Sequence, residues 1–319
     1  MSALRIASQL DVAFNARLRQ MLPGVDVLDW PRGVFAGLPA TVQVMLAAPH
    51  PKLKSAEEPA GWPYGLQWIQ LVTSGVDFFP PWLLERVPVA SARGTTAEAI
   101  AEFAVAAVFA AAKQLPALWV NNAGHWQQRS LASVSGSTLG LFGFGRIAQS
   151  TARKAQALGM KVVALRASEQ PFELPGIEAA RDLHDLFARA DHLLLAAPAT
   201  ARTYRVIDRA VLASAKPGLH LINVARGSLI DQDALRDALD AGQIGLASLD
   251  VSDPEPLPEG HWLYRHPRVH LSPHTSANSP QVYLNIAELL ARNIQHWRVG
   301  QALENAVFTA RQSIQGVPA

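Results

Sequence analysis

The sequence predicts an α/β chain made of two doubly wound parallel-sheet lobes, with the second lobe inserted into the first. Three observations predict it. Short apolar runs alternate with polar helical stretches along most of the chain, a strand passes through a glycine turn into a helix near the middle, and a long helix comes last with no strands after it. Strands alternating with helices build parallel βαβ units. At 319 residues the chain exceeds the usual single core, which favours two lobes.

In the first lobe, apolar runs at residues 4–7, 42–46, 68–72 and 87–90 read as strands, and an amphipathic stretch at 14–21 reads as a helix. Residues 49–65, carrying several prolines and glycines, read as loop or broken helix. Residues 96–115 are alanine-rich with Glu98 and Glu102 near the start, a helix whose weakly polar faces predict substantial burial. It connects to the second lobe. There the runs at 138–142, 161–165, 192–197, 220–224, 246–251 and 269–271 are almost wholly apolar, as in a parallel sheet covered on both faces. Ser279 and Pro280 supply an N-cap and first-turn proline for a helix running toward Gly300. That helix and its tail have no strand partners of their own and are expected to pack back on the first lobe. The expected division is therefore residues 1–95 as the first part of a substrate lobe, 96–279 as a dinucleotide-binding lobe, and 280–319 as the return.

Composition removes several function classes. An apolar fraction of 49% with 17% charged residues excludes collagen-like and disordered chains. The formal net charge is +2 and the lysines and arginines are scattered, so no nucleic-acid footprint is present. With no cysteine, disulfides, thiolate metal sites and cysteine nucleophiles are all excluded. The first thirty residues contain Asp11, Asp26 and Asp29 and lack a basic start followed by an apolar block, and runs such as 104–112 are too short to span a bilayer. A cytoplasmic enzyme without membrane contact is expected. His184, His192, His220, His261, His266 and His270 show no metal-ligand spacing, so no metal is expected.

The central unit reads Thr138-Leu-Gly-Leu-Phe-Gly143-Phe144-Gly145-Arg146-Ile147-Ala148. A glycine at 143 permits the tight turn, one at 145 lets the backbone approach a pyrophosphate, and the helix N-terminus offers N–H donors to it. A glycine triplet alone also fits a ligand-free turn. Here the strand before it, the helix after it and a second strand ending about twenty residues on supply the context that dinucleotide binding requires. The acidic residue expected at that second strand's end is absent: Lys161-Val-Val-Ala-Leu-Arg166 ends in arginine, with Ser168 two residues beyond. A carboxylate there accepts the ribose hydroxyls, whereas arginine pairs with a 2′-phosphate or stacks on adenine. NADP(H) is therefore favoured, with NAD(H) possible.

Three further segments end strands on the same sheet edge: Leu221-Ile-Asn-Val224-Ala225-Arg226-Gly227, Leu249-Asp250-Val-Ser-Asp-Pro-Glu255-Pro, and Leu271-Ser-Pro-His274. Ligands of open α/β sheets bind beyond the carboxyl ends of strands, so a guanidinium, a carboxylate and an imidazole converge there. Singly, each has an ordinary structural reading as a strand-end cap, a loop acid or a packed histidine.

Together with Leu71-Val-Thr-Ser74-Gly75-Val76-Asp77 and Pro198-Ala-Thr200-Ala-Arg-Thr203, these motifs stand in an order and spacing that resembles the D-isomer-specific 2-hydroxyacid dehydrogenases, over most of the chain. The resemblance implies a Rossmann cofactor domain inserted in a flavodoxin-like substrate domain, and reduction of a small 2-keto acid of the glyoxylate or hydroxypyruvate kind to the D-2-hydroxy acid. It further implies Arg226 as substrate anchor, His274 as general acid and base, and Glu255 as the partner of His274. Backbone N–H groups of Ser74, Gly75 and Val76 would bind the substrate carboxylate. Cofactor contacts are implied at Phe144, Arg146, Ile147, Ala197, Pro198, Thr203, Val224, Ala225, Arg226, Asp250 and His274 besides the two glycines, with Asp250 at the nicotinamide carboxamide. Relatives are usually homodimers joined through helices of the cofactor lobe, and His125-Trp126 stands where some of them send an aromatic into the neighbouring subunit. Ordinary core packing is the other reading of Trp126.

Two departures bear on the substrate rather than the reaction: Thr275-Ser276-Ala277 follows His274 where a glycine-bearing stretch is usual, and Ser252 replaces a common aromatic. Formate-oxidising relatives carry glutamine where Glu255 stands. Co-repressors of the same family keep the nucleotide site while acting through partners.

Overall fold

The apolar runs become strands because both their faces are covered by helices. In the computed structural model, which describes residues 3–307, the chain divides into two units, one comprising residues up to 96 and from 279 onward, the other residues 97–278.

The first unit contains β1 (Leu4–Ser8), α1 (Val12–Met21), β2 (Val25–Asp29), β3 (Val44–Ala47), β4 (Trp68–Leu71), α2 (Pro81–Glu85) and β5 (Val89–Ala90). The second contains α3 (Ala97–Ala112), β6 (Thr138–Phe142), α4 (Arg146–Ala157), β7 (Lys161–Leu165), β8 (Ile177–Ala179), α5 (Leu183–Arg189), β9 (His192–Leu195), α6 (Arg209–Ala213), β10 (Leu219–Asn223), α7 (Gln232–Asp240), β11 (Ile244–Leu249) and β12 (Val269–Leu271). Then α8 (Pro280–Arg298) and β13 (Ala306–Val307) complete the first unit.

The first sheet runs β13-β5-β4-β3-β1-β2. Helix α8 starts where Ser279 Oγ accepts from Gln281 N–H at 3.2 Å, with Pro280 in its first turn. Its buried face carries Ile286, Leu289, Leu290 and Ile294, and Asn293 donates to Gln70 of β4 at 2.9 Å, a bond between two fully buried side chains. Truncating either partner strands the other in an apolar interior, which fixes how α8 sits on the sheet.

The second sheet runs β12-β11-β10-β9-β6-β7-β8, every neighbour parallel. Strand order reverses between β6 and β9, and in such sheets the crevice beyond the carboxyl ends at the reversal takes the ligand. Leu193, Leu194, Leu195, Leu221 and Ile222 are fully buried at its centre.

Several elements differ from sequence expectation. The tail does supply a strand: β13 pairs antiparallel with β5, too short at two residues to carry a pattern. Strand β2, Val-Asp-Val-Leu-Asp, is an edge strand and so keeps polar residues. Helix α3 buries Ile100, Ala104 and Val108, but Phe103, Ala107 and Phe109 stay only partly covered. Trp126 is not a core residue; 80% of it is exposed. Toward the amino end of the second sheet, His192 and His220 form a buried pair, Nδ1 to Nδ1 3.0 Å, with His220 Nε2 at 2.8 Å from Ser248 Oγ. Burial pushes both imidazoles below their usual range. Among the described residues, no helix is long and apolar enough to cross a membrane, and no group of three or more histidine or acidic side chains is placed to hold a metal ion.

Candidate active site

The phosphate loop is shaped by what its glycines must admit. Gly143 has φ +92°, and a Cβ there would lie 2.7 Å from the Ala197 backbone nitrogen, so the turn after β6 closes against the end of β9 only with glycine. Gly145 is the N-cap of α4 and no side chain caps that helix, whereas Asp182, Asp208 and Asp231 cap α5, α6 and α7 with their carboxylates. A Cβ on Gly145 would meet nothing within 4 Å. The opening and the uncapped donors fit a dinucleotide pyrophosphate. Arg146 is exposed, Phe144 is buried and Ile147 half-buried. Across the reversal point, Ala197 is buried, and Thr203 Oγ1 donates to the Pro198 carbonyl at 2.8 Å, which shapes the loop beyond β9.

Beyond β10 the chain turns through Val224 and Ala225 to Arg226. Asn223, fully buried, organises this turn: its Oδ1 accepts from Ala225 N–H at 3.0 Å and its Nδ2 donates to the Arg226 carbonyl at 2.9 Å. Gly227 then lies against the segment after β11, where an added Cβ would be 2.0 Å from the Ser252 carbonyl carbon. This close approach brings the arginine turn and the Glu255 loop together. Arg226 is half-buried, with Nη1 donating to the Ala225 carbonyl at 2.7 Å.

Glu255 is held from both sides. Oε1 accepts from Ser252 N–H at 3.0 Å, and Oε2 lies 2.8 Å from His274 Nδ1. Burial pushes the Glu255 carboxyl up, but hydrogen bonds from His274 and Ser252 and the charges of His274 and Arg226 outweigh it and hold it below the usual carboxylate range. An ionised acceptor at Nδ1 requires a proton on that nitrogen, which leaves proton exchange to Nε2. A cavity of about 600 Å³ lies beside the pair, lined by Asp250, Glu255, Tyr264, Leu271 and His274 among others.

His274 stands in the left-handed region at φ +50°, unusual for a non-glycine residue, so the surrounding turn must hold it there. Asp250 does so. Its Oδ1 accepts from Ser272 Oγ at 2.6 Å and Thr275 N–H at 2.9 Å, its Oδ2 from Ser276 N–H at 2.9 Å, and its carbonyl from His274 N–H at 2.8 Å. Burial raises the Asp250 carboxyl, yet these donors leave it below its ordinary value. The expectation of Asp250 at a nicotinamide thus meets a different surrounding: the side chain is 1% exposed and both carboxylate oxygens face the 272–276 turn. Neither this role nor that of Asn223 was foreseen. The available signal was a polar residue closing an otherwise apolar strand.

Arg166 follows β7 at its carboxyl end, with Ser168 exposed beyond it. The guanidinium binds the loop that follows, donating to Glu173, Gln170 and Pro171. Ser74, Gly75 and Val76 belong to the first unit, in the loop after β4, where Thr73 Oγ1 donates to the Gly75 carbonyl at 2.7 Å and Ser74 Oγ to the Ala92 carbonyl at 3.3 Å.

The strand reversal and the glycine turn can hold a dinucleotide, and beside an arginine stands a histidine–carboxylate pair able to exchange a proton. The D-isomer specific 2-hydroxyacid dehydrogenase NAD-binding domain matches residues 105–276, and the chain belongs to that family. It is similar to a D-3-phosphoglycerate dehydrogenase of Methanocaldococcus jannaschii, 31% identical over 69% of this chain and 43% of the relative. It is also similar to a glyoxylate reductase of Thermococcus gammatolerans, 33% identical over 64% of each. The chain therefore spans less than two thirds of either relative's length. Among solved structures, the TT0316 protein of Thermus thermophilus superposes with a TM-score of 0.76 at 30% identity, covering 96% of this chain and 100% of that one. A D-isomer specific 2-hydroxyacid dehydrogenase of Xanthobacter autotrophicus, in complex with NADPH and MES, gives 0.79 at 25% identity over 97% and 98%.

Proposed function

We propose that the protein reduces a small 2-keto acid of the glyoxylate or hydroxypyruvate kind to the D-2-hydroxy acid with a nicotinamide cofactor. The observation that carries this reading is the His274–Glu255 pair at 2.8 Å, within the field of Arg226, beyond the carboxyl ends of β10, β11 and β12. Gly143 to Ile147 and the turns at Ala197–Pro198 and Val224–Ala225 would hold the cofactor, which would supply the hydride. His274 Nε2 gives its proton to the oxygen that becomes the hydroxyl, and takes it back in the reverse direction. Glu255 orients the ring through Nδ1–H. Arg226 anchors the carboxylate and keto oxygen with its planar fork.

NADPH is the favoured nucleotide, with NADH possible, because Arg166 and Ser168 stand where a ribose-binding acid would repel a 2′-phosphate. The NADPH complex of the Xanthobacter relative is consistent with this choice. A homodimer is part of the same reading, supported by the partly covered apolar face of α3 and by Trp119 and Trp126, 72% and 80% exposed on the segment after it. Sedimentation at micromolar protein tests the dimer, and oxidation of NADPH in the presence of glyoxylate or hydroxypyruvate tests the reaction.

A further inference from the structure

Around Arg166 the chain closes on itself. Nη1 donates to both carboxylate oxygens of Glu173, at 3.0 and 3.1 Å, and Nη2 to the carbonyls of Gln170 and Pro171, at 2.6 and 2.9 Å. The guanidinium carbon lies 5.1 Å from the centre of the Phe172 ring. Phe172 packs edge-on against Phe144 of the phosphate loop, with centroids 4.7 Å apart. The loop carrying Glu173 is thus fastened to the loop that would hold the pyrophosphate. Arg166 is largely covered, its side chain 12% exposed, whereas that of Glu173 is 53% exposed.

A guanidinium fork takes a carboxylate and a phosphate in the same two-point manner, and it cannot serve both fully at once. We propose that Glu173 is a specificity-determining residue for the nucleotide, an internal anion that competes with a 2′-phosphate for Arg166. This rests on the reading of Arg166 as the 2′-phosphate reader. A nucleotide with a bare ribose leaves the Arg166–Glu173 pair intact. One carrying a 2′-phosphate must displace the carboxylate and then tolerate it nearby as a like charge. Arg166 alone would favour the phosphorylated nucleotide strongly; paired with Glu173 it discriminates less and admits both.

The closed arrangement is also an exchangeable one. Glu173 is mostly in water, where an ion pair is weak, and the buried Arg166 Nε–H has no acceptor among the described residues. A ligand that offers the guanidinium more acceptors therefore replaces Glu173 readily. The Glu173 backbone N–H and the Arg166 guanidinium hold the Glu173 carboxyl below its usual range, so the competitor is an anion at neutral pH.

The test is a cycle of Glu173→Gln, Arg166→Ala and the double variant in the full chain. Dissociation constants are measured by titration for NADPH and NADH, and for the fragments 2′,5′-ADP and 5′-AMP, which report binding without turnover. Glu173→Gln should tighten NADPH and 2′,5′-ADP about three- to tenfold, the scale of one exposed charge pair and one like-charge contact, and leave NADH and 5′-AMP within about twofold. The gain should vanish when Arg166 is alanine. An equal change for both nucleotides, or none for either, overturns the competition. Arg166→Ala alone judges the reader: an unchanged NADPH-to-NADH ratio removes Arg166 from that role, whereas a lowered ratio with a silent Glu173→Gln keeps the reader and rejects the competitor.

Discussion

Replacing Asp250 by asparagine separates what the structure assigns to it from what its sequence position suggests. Asparagine keeps one carbonyl oxygen for Ser272 Oγ and Thr275 N–H but turns an amide NH₂ toward Ser276 N–H, which the Asp250 carboxylate accepts at 2.9 Å. One charge-assisted bond is lost, about 1.5–3 kcal/mol, and a buried donor is left facing another, about 1–3 kcal/mol; overlap between the two gives a net loss of about 3 kcal/mol. For a unit of this size that lowers the midpoint of thermal unfolding by about 6–12 °C. Because the same turn holds His274 at φ +50°, a displacement on the order of 1 Å should cost roughly 10²-fold in turnover. The Asp250 carboxyl is held below its ordinary value, so its stabilisation is present at neutral pH and is lost as pH falls through that lowered value. The gap in melting temperature between wild type and variant should accordingly narrow in acid. Calorimetry across pH, with nucleotide titration at 25 °C, reads both effects. An unchanged melting temperature with weakened nucleotide binding would refute the turn-holding role and return Asp250 to the nicotinamide.

The other expectations concern the proposed chemistry. Arg226→Lys keeps the charge but loses the two-point grip, and should remove about 2–4 kcal/mol of transition-state stabilisation while nucleotide binding stays near wild type; near-normal kcat/KM excludes Arg226 as the anchor. His274→Gln should slow reduction roughly 10²–10⁴-fold, with turnover near wild type as the disproof. The Glu255 carboxyl is held below its usual range, so the pairing is present at neutral pH and is lost as pH falls through that lowered value; Glu255→Gln should slow reduction and remove this acid-side decline from the pH profile. A pH profile that does not move removes the functional pairing.

Much of this arrangement was legible because buried parallel strands leave a plain signature. The runs ending at Phe142, Leu195 and Asn223 are apolar nearly throughout, and Gly143, Arg226 and His274 follow strand ends where such sheets bind ligands. Edge elements were harder to read. Strand β2 keeps aspartates because one side faces no neighbour strand, and β13 is defined by its partner β5 rather than by its own two residues. Within the site, residue types were readable but partners were not. Asp250 and Arg166 were expected to face a ligand, yet the hydrogen bonds of Asp250 go to the 272–276 turn beyond the neighbouring strand and those of Arg166 to the loop that follows it. A carboxylate that organises a turn and one that contacts a cofactor look alike in sequence, because the distinction lies in which backbone N–H groups the fold brings within 3 Å.

Proton delivery by His274 during keto-acid reduction is put to the test by steady-state oxidation of NADPH and of NADH with a panel of short 2-keto acids, analysing the chirality of the product. Turnover is expected with glyoxylate or hydroxypyruvate, with a D-configured hydroxy acid from every prochiral substrate and loss of that turnover in His274→Gln without loss of nucleotide binding. Tight nucleotide binding with no turnover on any acid would contradict it and would mark the protein as a nucleotide-responsive partner protein instead.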